Sequence, residues 1–298
     1  MKKGFIIILI IGIIISALGV GLIAIAVSNK SFKRETVDVK NTIEINDDFS
    51  NIDIDIMSAD IEFIINTDNK CVIDVLETQK QHHKANVEND KLVIRSVDER
   101  RWYEKIFSFN FETMKLKISL PKNTYNNLII KNSSGNLKLN DFTFNETDIK
   151  TSSGNIDISN LNSSKTNITT SSGNIIIKDS KTNETKLQVS SGNINISNTN
   201  SSNSTITTSS GNINLTDYII ENNLDARVSS GNIIFSKIDA KDINMKTSSG
   251  DIKGSVLTPK TFIANTSSGD INVDKTSTGD RCVLNTSSGN INVTVINK

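Results

Sequence analysis

The chain has 298 residues, enough for one large or two ordinary domains, and carries 33 basic and 33 acidic side chains. This balance excludes a protein that bulk charge draws to nucleic acid, and no nucleic-acid partner is expected. The two cysteines, Cys71 and Cys282, are too few for a disulfide framework and lack zinc-site spacing, so both are predicted to be small buried hydrophobic residues.

The first predicted element is an N-terminal transmembrane helix over residues 5–27. These 23 residues carry no charge, and a helix of that length crosses a hydrocarbon core of about 30 Å. The helix follows a short tail (1–4), expected in the cytoplasm, and precedes a polar stalk (28–42). A cleaved signal peptide is the alternative, because Ala24-Ile25-Ala26 resembles a cleavage site, although the apolar run is longer than the roughly 7–15 apolar residues at the centre of such peptides. We expect a single-pass protein of the cell membrane whose large domain lies outside the cell.

Residues 43–132 show strand patterns without a regular period. Ile52, Ile54 and Ile56 alternate with aspartates, which is typical of a strand with one buried face. We predict irregular β coils that close the N-terminal end of a repetitive body, since terminal repeats need a cap. The only histidines, His82 and His83, are expected in a solvated loop.

An aromatic cluster lies within this region. It contains the only tryptophan, and two interpretations stay open: a hydrophobic plug over the first coil, or a contact with a partner or with lipid headgroups. The residues that would make this contact are Trp102, Tyr103, Phe107 and Phe109.

From residue 133 to residue 298 the chain repeats the motif Ser-Ser-Gly-Asn/Asp. Successive copies are 19 or 20 residues apart, and so fixed a period is typical of a solenoid, whose units bury their apolar faces by stacking on their neighbours. The glycines of the motif, predicted to form structural corners, are Gly135, Gly154, Gly173, Gly192, Gly211, Gly231, Gly250, Gly269 and Gly289.

Apolar and polar residues alternate on both sides of each glycine. Apolar side chains stand five residues before it and two and four residues after it, as Ile149, Ile156 and Ile158 do around Gly154. The alternation changes phase at the glycine, which indicates a tight corner with positive φ. The positions three and one before the glycine are expected to hold small interior side chains. The sequence therefore predicts an all-β fold, a parallel β-helix of 19–20-residue coils, right-handed as such crossovers usually are.

Two of the intervals contain an additional residue. The additional residues fall in the segments 219–223 and 277–281, which occupy the same polar turn of the coil and are expected to lie outside the core strands. The chain then ends almost directly after the last motif. We predict that this final coil leaves Ile291 and Val293 at an unpaired edge, open to self-association or partner docking.

Catalytic chemistry has little support in the sequence. Glycosidic cleavage needs two carboxylates on one face of neighbouring coils, but Asp148 and Asp225 are four coils apart. Asp251 and Asp270 are the one pair in the column after the glycine that could attract a cation. No catalytic, cofactor-binding or metal-binding residue is predicted, and the protein is not expected to be an enzyme.

The order of these features resembles the DUF4097 putative-adhesin family, also called the toast-rack domain. The resemblance rests on the apolar N-terminal segment, the degenerate motif Ser58-Ala59-Asp60-Ile61, the stretch from Leu120 to Tyr125 and the tandem motifs, and it covers roughly residues 40 to 298. LiaG-type proteins of bacterial envelope-stress modules look similar. The resemblance implies a β-helical extracytoplasmic domain with envelope-stress or adhesion functions, and it supplies no catalytic residues. Asparagine, where the family more often has aspartate, removes charge from the column after the glycine.

Three functions are compatible with these features. The first is a non-catalytic, membrane-anchored module for binding, sensing or scaffolding, with other envelope-stress membrane proteins as partners. The second is a surface adhesin that binds wall or host glycans. The third, and least favoured, is an enzyme that acts on polysaccharides.

Overall fold

The computed structural model describes residues 12–21, 36–68, 70–102, 104, 112–276 and 278–297. Residues 12–21 form a short helix, α1, inside the predicted membrane span. Among the described helical residues, no helix is both long enough and apolar enough to cross a membrane. The rest of the predicted span and the tail before it lie outside the described residues.

Among the other described residues, Trp102 and Glu104 are helical and the remaining regular structure is β. The N-terminal strands are β1 (Val39–Ile45), β2 (Asn51–Ser58), β3 (Asp60–Asn66), β4 (Cys71–Glu77), β5 (Gln81–Glu88), β6 (Lys91–Asp98) and β7 (Lys115–Pro121). The regular coils contain β8 (Thr124–Ser134), β9 (Leu137–Asn140), β10 (Thr143–Ser153), β11 (Ile156–Ser159), β12 (Asn162–Ser172), β13 (Ile175–Lys178), β14 (Lys181–Ser191), β15 (Ile194–Ser210), β16 (Ile213–Ser230), β17 (Ile233–Ile238), β18 (Asp242–Ser249) and β19 (Ile252–Val256). The last strands are β20 (Lys260–Ser268), β21 (Ile271–Val273), β22 (Asp280–Ser288) and β23 (Ile291–Val295).

The regular coils stack as parallel rungs, as the sequence predicts. Residues 19 apart face each other, so that Ile149 pairs with Ile130 on one side and with Ile168 on the other. Strands before the glycine stack on one face of the solenoid and strands after it on another, since β10 pairs with β8 and β12 while β11 pairs with β9 and β13. The parallel β-solenoid is therefore confirmed, and the hand of its winding stays a prediction.

The interior is a column of aliphatic side chains beside a seam of hydroxyl groups. Ile149, Ile168 and Ile206 stand at the same position of three coils and are fully buried. Every second residue of a strand points to the same face, so equivalent positions of stacked coils form one interior column. Thr182, Thr185, Ser201, Ser204 and Tyr218 are also buried, and Ser204 hydrogen-bonds the Tyr218 hydroxyl. Burial raises the pKa of Tyr218 above its ordinary value of 10, so this hydroxyl stays neutral.

Each corner glycine lies where successive coils touch. All nine have φ between 120° and 152°, a region that side chains with a Cβ rarely adopt. A Cβ built on Gly192 would lie 2.1 Å from the carbonyl oxygen of Gly173 in the coil below. Glycine is therefore required both for the turn and for the distance between coils.

The N-terminal region closes its end of the solenoid with antiparallel strands. The coil of β2 and β3 lies between two other coils, because β2 pairs with β6 and β8 and β3 pairs with β7 and β9. Beyond it, β4 runs antiparallel to β7 and β1, and β5 runs antiparallel to β6. β1 begins at Val39, inside the segment predicted to be a stalk; residues 28–35 of that segment lie outside the described residues.

The C-terminal coils do not stack in chain order, which corrects the predicted edge. β22 lies between β18 and β20, and β23 lies between β19 and β21. Ile291 faces both Ile252 and Ile271, and it and Val293 are fully buried. The prediction that these two residues form an open edge is wrong, because the last coil inserts beneath the coil that precedes it in sequence. The outermost described coil consists of β20 and β21.

Candidate functional site

The most extensive repeated surface is the corner ridge, which we define as the Ser-Ser-Gly-Asn/Asp motifs of successive coils. The first serine of every motif is exposed, and the second is exposed in every motif except the first, where Ser134 is half-buried. The expectation that the second serine points inward is wrong, whereas Thr151 and Thr170, three residues before their glycines, are buried. The chain turns the corner one residue earlier than the alternation suggests.

A ladder of side-chain hydrogen bonds runs along this ridge. Each backbone N–H after the glycine donates to the side-chain oxygen of the same residue in the coil below, over distances of 2.7–3.0 Å. This use of Asn oxygen satisfies a turn amide that sheet pairing leaves free. The ladder members, in spatial order, are Asp60, Asn136, Asn155, Asn174, Asn193, Asn212, Asn232, Asp251, Asn290 and Asp270.

The ladder has consequences for charge. Its members from Asn136 to Asn232 are neutral, so the middle of the ridge offers hydroxyl and amide groups alone. Asp251 and Asp270 are not on adjacent coils, because Asn290 stands between them. Among the residues that the structure describes, no three His, Cys, Asp or Glu side chains are grouped as metal ligands.

The carboxylates considered for catalysis are far apart and locally paired. Asp148 lies on β10, 2.9 Å from the Lys150 ammonium, and Asp225 lies on β16 against Arg227. β12, β14 and β15 separate the two strands. The two carboxylates therefore cannot act on one bond.

A cleft of about 460 Å³ lies at the turn that holds both additional residues. The first addition lies inside β16, where it is absorbed as a register shift against β15 at Ser201 and Asn203, so the expectation that it falls outside the core strands is wrong. The cleft is lined by residues 219–221 of β16 and by residues of the turns at 239–241, 258–259 and 278–280. The two 20-residue intervals are thus the sequence signal that marks this cleft, although sequence reasoning did not identify it.

Lys260 is fully buried beside this cleft. Its Nζ lies 2.6 Å from Asp239 Oδ1 and donates to the Ala240 carbonyl at 2.8 Å, while Asp280 Oδ2 is 3.5 Å away. Because β22 lies between β20 and β18, the lysine of the outermost coil reaches past the inserted coil to the turn of the coil beneath. The contact connects three coils and explains why a charged side chain is tolerated inside.

The aromatic cluster is only partly within the described residues. Trp102 is 74% exposed, as a contact with a partner or with lipid headgroups would need. Tyr103, Phe107 and Phe109 lie outside the described residues, so whether the cluster is a plug or a contact stays open.

The cysteines and one histidine are buried inside the sheet. Burial raises the pKa of the Cys71 and Cys282 thiols to about 12, and both are free, as expected of small hydrophobic core residues. The loop predicted for the histidines is wrong, because His82 and His83 lie on β5. His83 is 3% exposed; its backbone N–H donates to Glu77 Oε2 at 2.8 Å, and its Nδ1 lies 3.2 Å from the same oxygen.

This geometry predicts that acid weakens the N-terminal hairpin of β5 and β6. Burial lowers the pKa of His83, opposed by Glu77, and no described group pairs with the buried Nε2. Above the unfolded pKa of about 6.5 the ring is neutral in both states, so stability is full. As pH falls below that value only the unfolded state gains the proton, and stability is lost by up to about 1.4 kcal/mol per pH unit until the folded pKa is reached.

Hydrogen exchange of the β5 and β6 amides at pH about 7.5 and about 5.5 measures this loss. His83→Gln should remove the pH dependence, whereas His82→Gln on the same strand should preserve it. Equal pH dependence in both variants would contradict the assignment to His83.

The family described as Toastrack DUF4097 matches residues 49–233 and 217–297, which together exceed half of the chain. The chain belongs to the Toastrack family. The Toastrack match includes the irregular N-terminal coils as well as the tandem motifs, and it agrees with the resemblance to putative adhesins, whereas the LiaG type stays a prediction.

One solved structure shares the fold of this Toastrack chain, and a second is less similar. One from Parabacteroides distasonis, described as a putative lipid binding protein, is 16% identical, with 89% of this chain and 99% of that chain covered and a TM-score of 0.51. One from Bacteroides fragilis, described as a putative adhesin, is 15% identical. The match covers 86% of this chain and 97% of that chain, with a TM-score of 0.45. At such identities the first likeness shows the fold alone, and the second carries no argument. No curated protein matches the chain.

Proposed function

We propose that the protein is a non-catalytic, membrane-anchored module of the cell surface that binds an extended, hydroxyl-rich polymer, such as a wall or host glycan, along the corner ridge. The observation that supports this proposal is the uncharged middle of the ridge, from Asn136 to Asn232. Its coils repeat the same serines and ladder amides, at the rung spacing of about 4.8 Å.

The chemistry of the ridge fits a polymer better than a small ligand. Serine hydroxyls donate and accept, and amide groups donate, as sugar hydroxyls require. Each contact is weak in water, but contacts along one chain add through their high effective concentration. A lipid, which the Parabacteroides structure is described as binding, would need apolar space, and Ile149, Ile168, Ile206 and the other interior side chains fill the described core.

The anchor and the cellular role rest on other observations. The uncharged residues 5–27 support membrane attachment, with the solenoid extracellular and its N-terminal end nearest the membrane. A sensing or scaffold role in envelope stress is the second candidate, and it is supported only by the resemblance to LiaG-type proteins. Membrane stress-response genes beside this gene would favour that second role.

A triple substitution on the ridge tests the binding proposal. Ser171, Ser190 and Ser209, each changed to Gln, would cover three successive rungs with long side chains at exposed positions. Binding of residues 36–298 to purified wall polysaccharide should weaken at least about tenfold, since several contacts of a few tenths to one kcal/mol are lost together. Sedimentation with insoluble wall material measures the bound fraction.

The matched control places Gln on the other face of the same three coils, at Lys178, Ser197 and Thr216. These positions follow the glycine by five residues and are exposed or half-buried. The control should bind like the unmodified body. Equal loss in both triples, or no binding by the unmodified body to wall or host glycans, would overturn the proposal.

A further inference from the structure

The solenoid ends in an open coil at the end far from β1. β20 pairs with β22 and β21 pairs with β23, and over the described part of the chain neither strand has a partner on its outer side. The outer side therefore presents a row of unpaired backbone N–H and C=O groups, spaced so that another strand could pair with them.

The hydrogen-bond pattern stops in the middle of its repeat. In the coils beneath, the corner N–H donates to the next coil, as Gly250 does to Ser288 and Gly289 does to Ser268, both at 2.9 Å. For the Gly269 N–H, no described carbonyl oxygen accepts a corresponding hydrogen bond. The ladder likewise stops at Asp270, whose exposed side chain stands where each earlier member accepts an N–H from the next coil.

Apolar side chains of this coil are exposed to an unusual degree. Ile263 and Ile271 are 47% and 46% exposed. Phe262, Ala264 and Val273 are half-buried, although the residues that face them in the inserted coil, Cys282, Leu284 and Val293, are fully buried. One more strand would cover this edge.

Charge distinguishes this end from the other one. Natural sheets protect edge strands with charged residues or proline. The outer strands of the N-terminal end follow that rule, with Lys40 and Glu44 on β1 and Lys84 and Glu88 on β5. Residues 261–268 and β21 carry neither charge nor proline. This edge therefore lacks the usual protection against pairing, and a strand as neutral as itself could pair with it without burying an unpaired charge.

We propose that the open coil binds the open coil of a second copy, end to end, with β20 antiparallel to β20 of the partner about a two-fold axis. Such a contact is isologous, so one neutral edge supplies both halves and the assembly closes as a dimer. Antiparallel pairing places the two Asp270 carboxylates at opposite ends of the contact, away from each other. A head-to-tail stack would instead set this neutral edge against the charged strands β1 and β5. In the dimer the two N-terminal regions lie at opposite ends of a doubled rod.

Cross-linking of the full chain in detergent, where the anchors do not constrain orientation, tests the contact. Ile263→Cys places an exposed thiol near the middle of β20, within about 8 Å of its counterpart for centred registers, while the native Cys71 and Cys282 thiols are buried. A short thiol–thiol cross-linker should yield a dimer. Ile234→Cys, an exposed isoleucine in the middle of the rod, should yield none.

Charge at the edge provides the second measurement. The double variant Ile263→Lys with Ile271→Lys should lower the dimer fraction of the detergent-solubilised full chain at least about tenfold at concentrations near 100 µM, as measured by light scattering, and Ile234→Lys should leave it unchanged. A monomer for the unmodified chain, a dimer that survives the double variant, or a series of larger oligomers would each overturn the proposal. Glycan binding by the ridge is independent of every one of these outcomes.

Discussion

Gly192→Ala is expected to destabilise the solenoid by at least about 3 kcal/mol. The residue has a φ of 148°, where a Cβ is strained by about 1–3 kcal/mol. The new Cβ would also lie 2.1 Å from the Gly173 carbonyl oxygen and 2.7 Å from its carbon. The coils cannot separate to relieve this contact without breaking the hydrogen bond from Gly173 to Ser191 beside it.

Thermal unfolding of residues 36–298 measures the effect, as a melting temperature lower by about 6 °C or more. Ser190→Ala is the matched control, since Ser190 is exposed on the same corner two residues earlier. We expect that control to change the melting temperature by no more than a surface substitution does, within about 0.5 kcal/mol. Similar melting temperatures for the two variants would refute the close approach of the coils at this corner.

Removal of residues 280–298 is expected to unfold the coil that precedes them as well. β20 and β21 pair only with β22 and β23 in the described part of the chain, so without the inserted coil they lose their rung partner. The amides of residues 261–273 should then exchange as in an unfolded chain, whereas β18 and β19 keep their pairing with β16 and β17.

A second truncation, which removes residues 257–298, is the control for this experiment. If the coil of β20 and β21 contributes nothing without its partner, the two truncated chains should unfold at the same temperature. A higher temperature for the chain that ends at Gly279 would mean that this coil docks directly on β18 and β19, and would contradict the expectation.

The regular coils could be predicted from the sequence because one physical rule acts at each of them. The period of 19 and the alternation around Gly154 fix which residues face inward, and Ile149, Ile156 and Ile158 are all fully buried. The turn and the close stacking both require glycine. These features are local or repeat between neighbours, so no distant contact is needed to infer them.

The order of the last coils could not be predicted, because the same regularity makes neighbouring rungs interchangeable. Ile252 and Ile291 are 39 residues apart and pair as well as residues 19 apart do. The contacts that distinguish the two arrangements, such as Lys260 with Asp239, join turns that are distant in sequence. His83 was misassigned for a related reason: its burial depends on antiparallel pairing of β5 with β6, which its polar neighbours in sequence do not indicate.

The inserted coils at both ends impose an order of folding on a chain that leaves the ribosome from its N-terminus. The coil of β2 and β3 is enclosed only after residues 91–140 have emerged. From there each regular coil can dock on the one before it as soon as it appears, with little waiting for distant partners. At the far end growth pauses, because β20 and β21 have no strand to pair with until β22 and β23 have been synthesised. β22 and β23 pair on both of their sides, so their synthesis completes two rungs at once, and a polypeptide that stalls before them would present an unfinished edge.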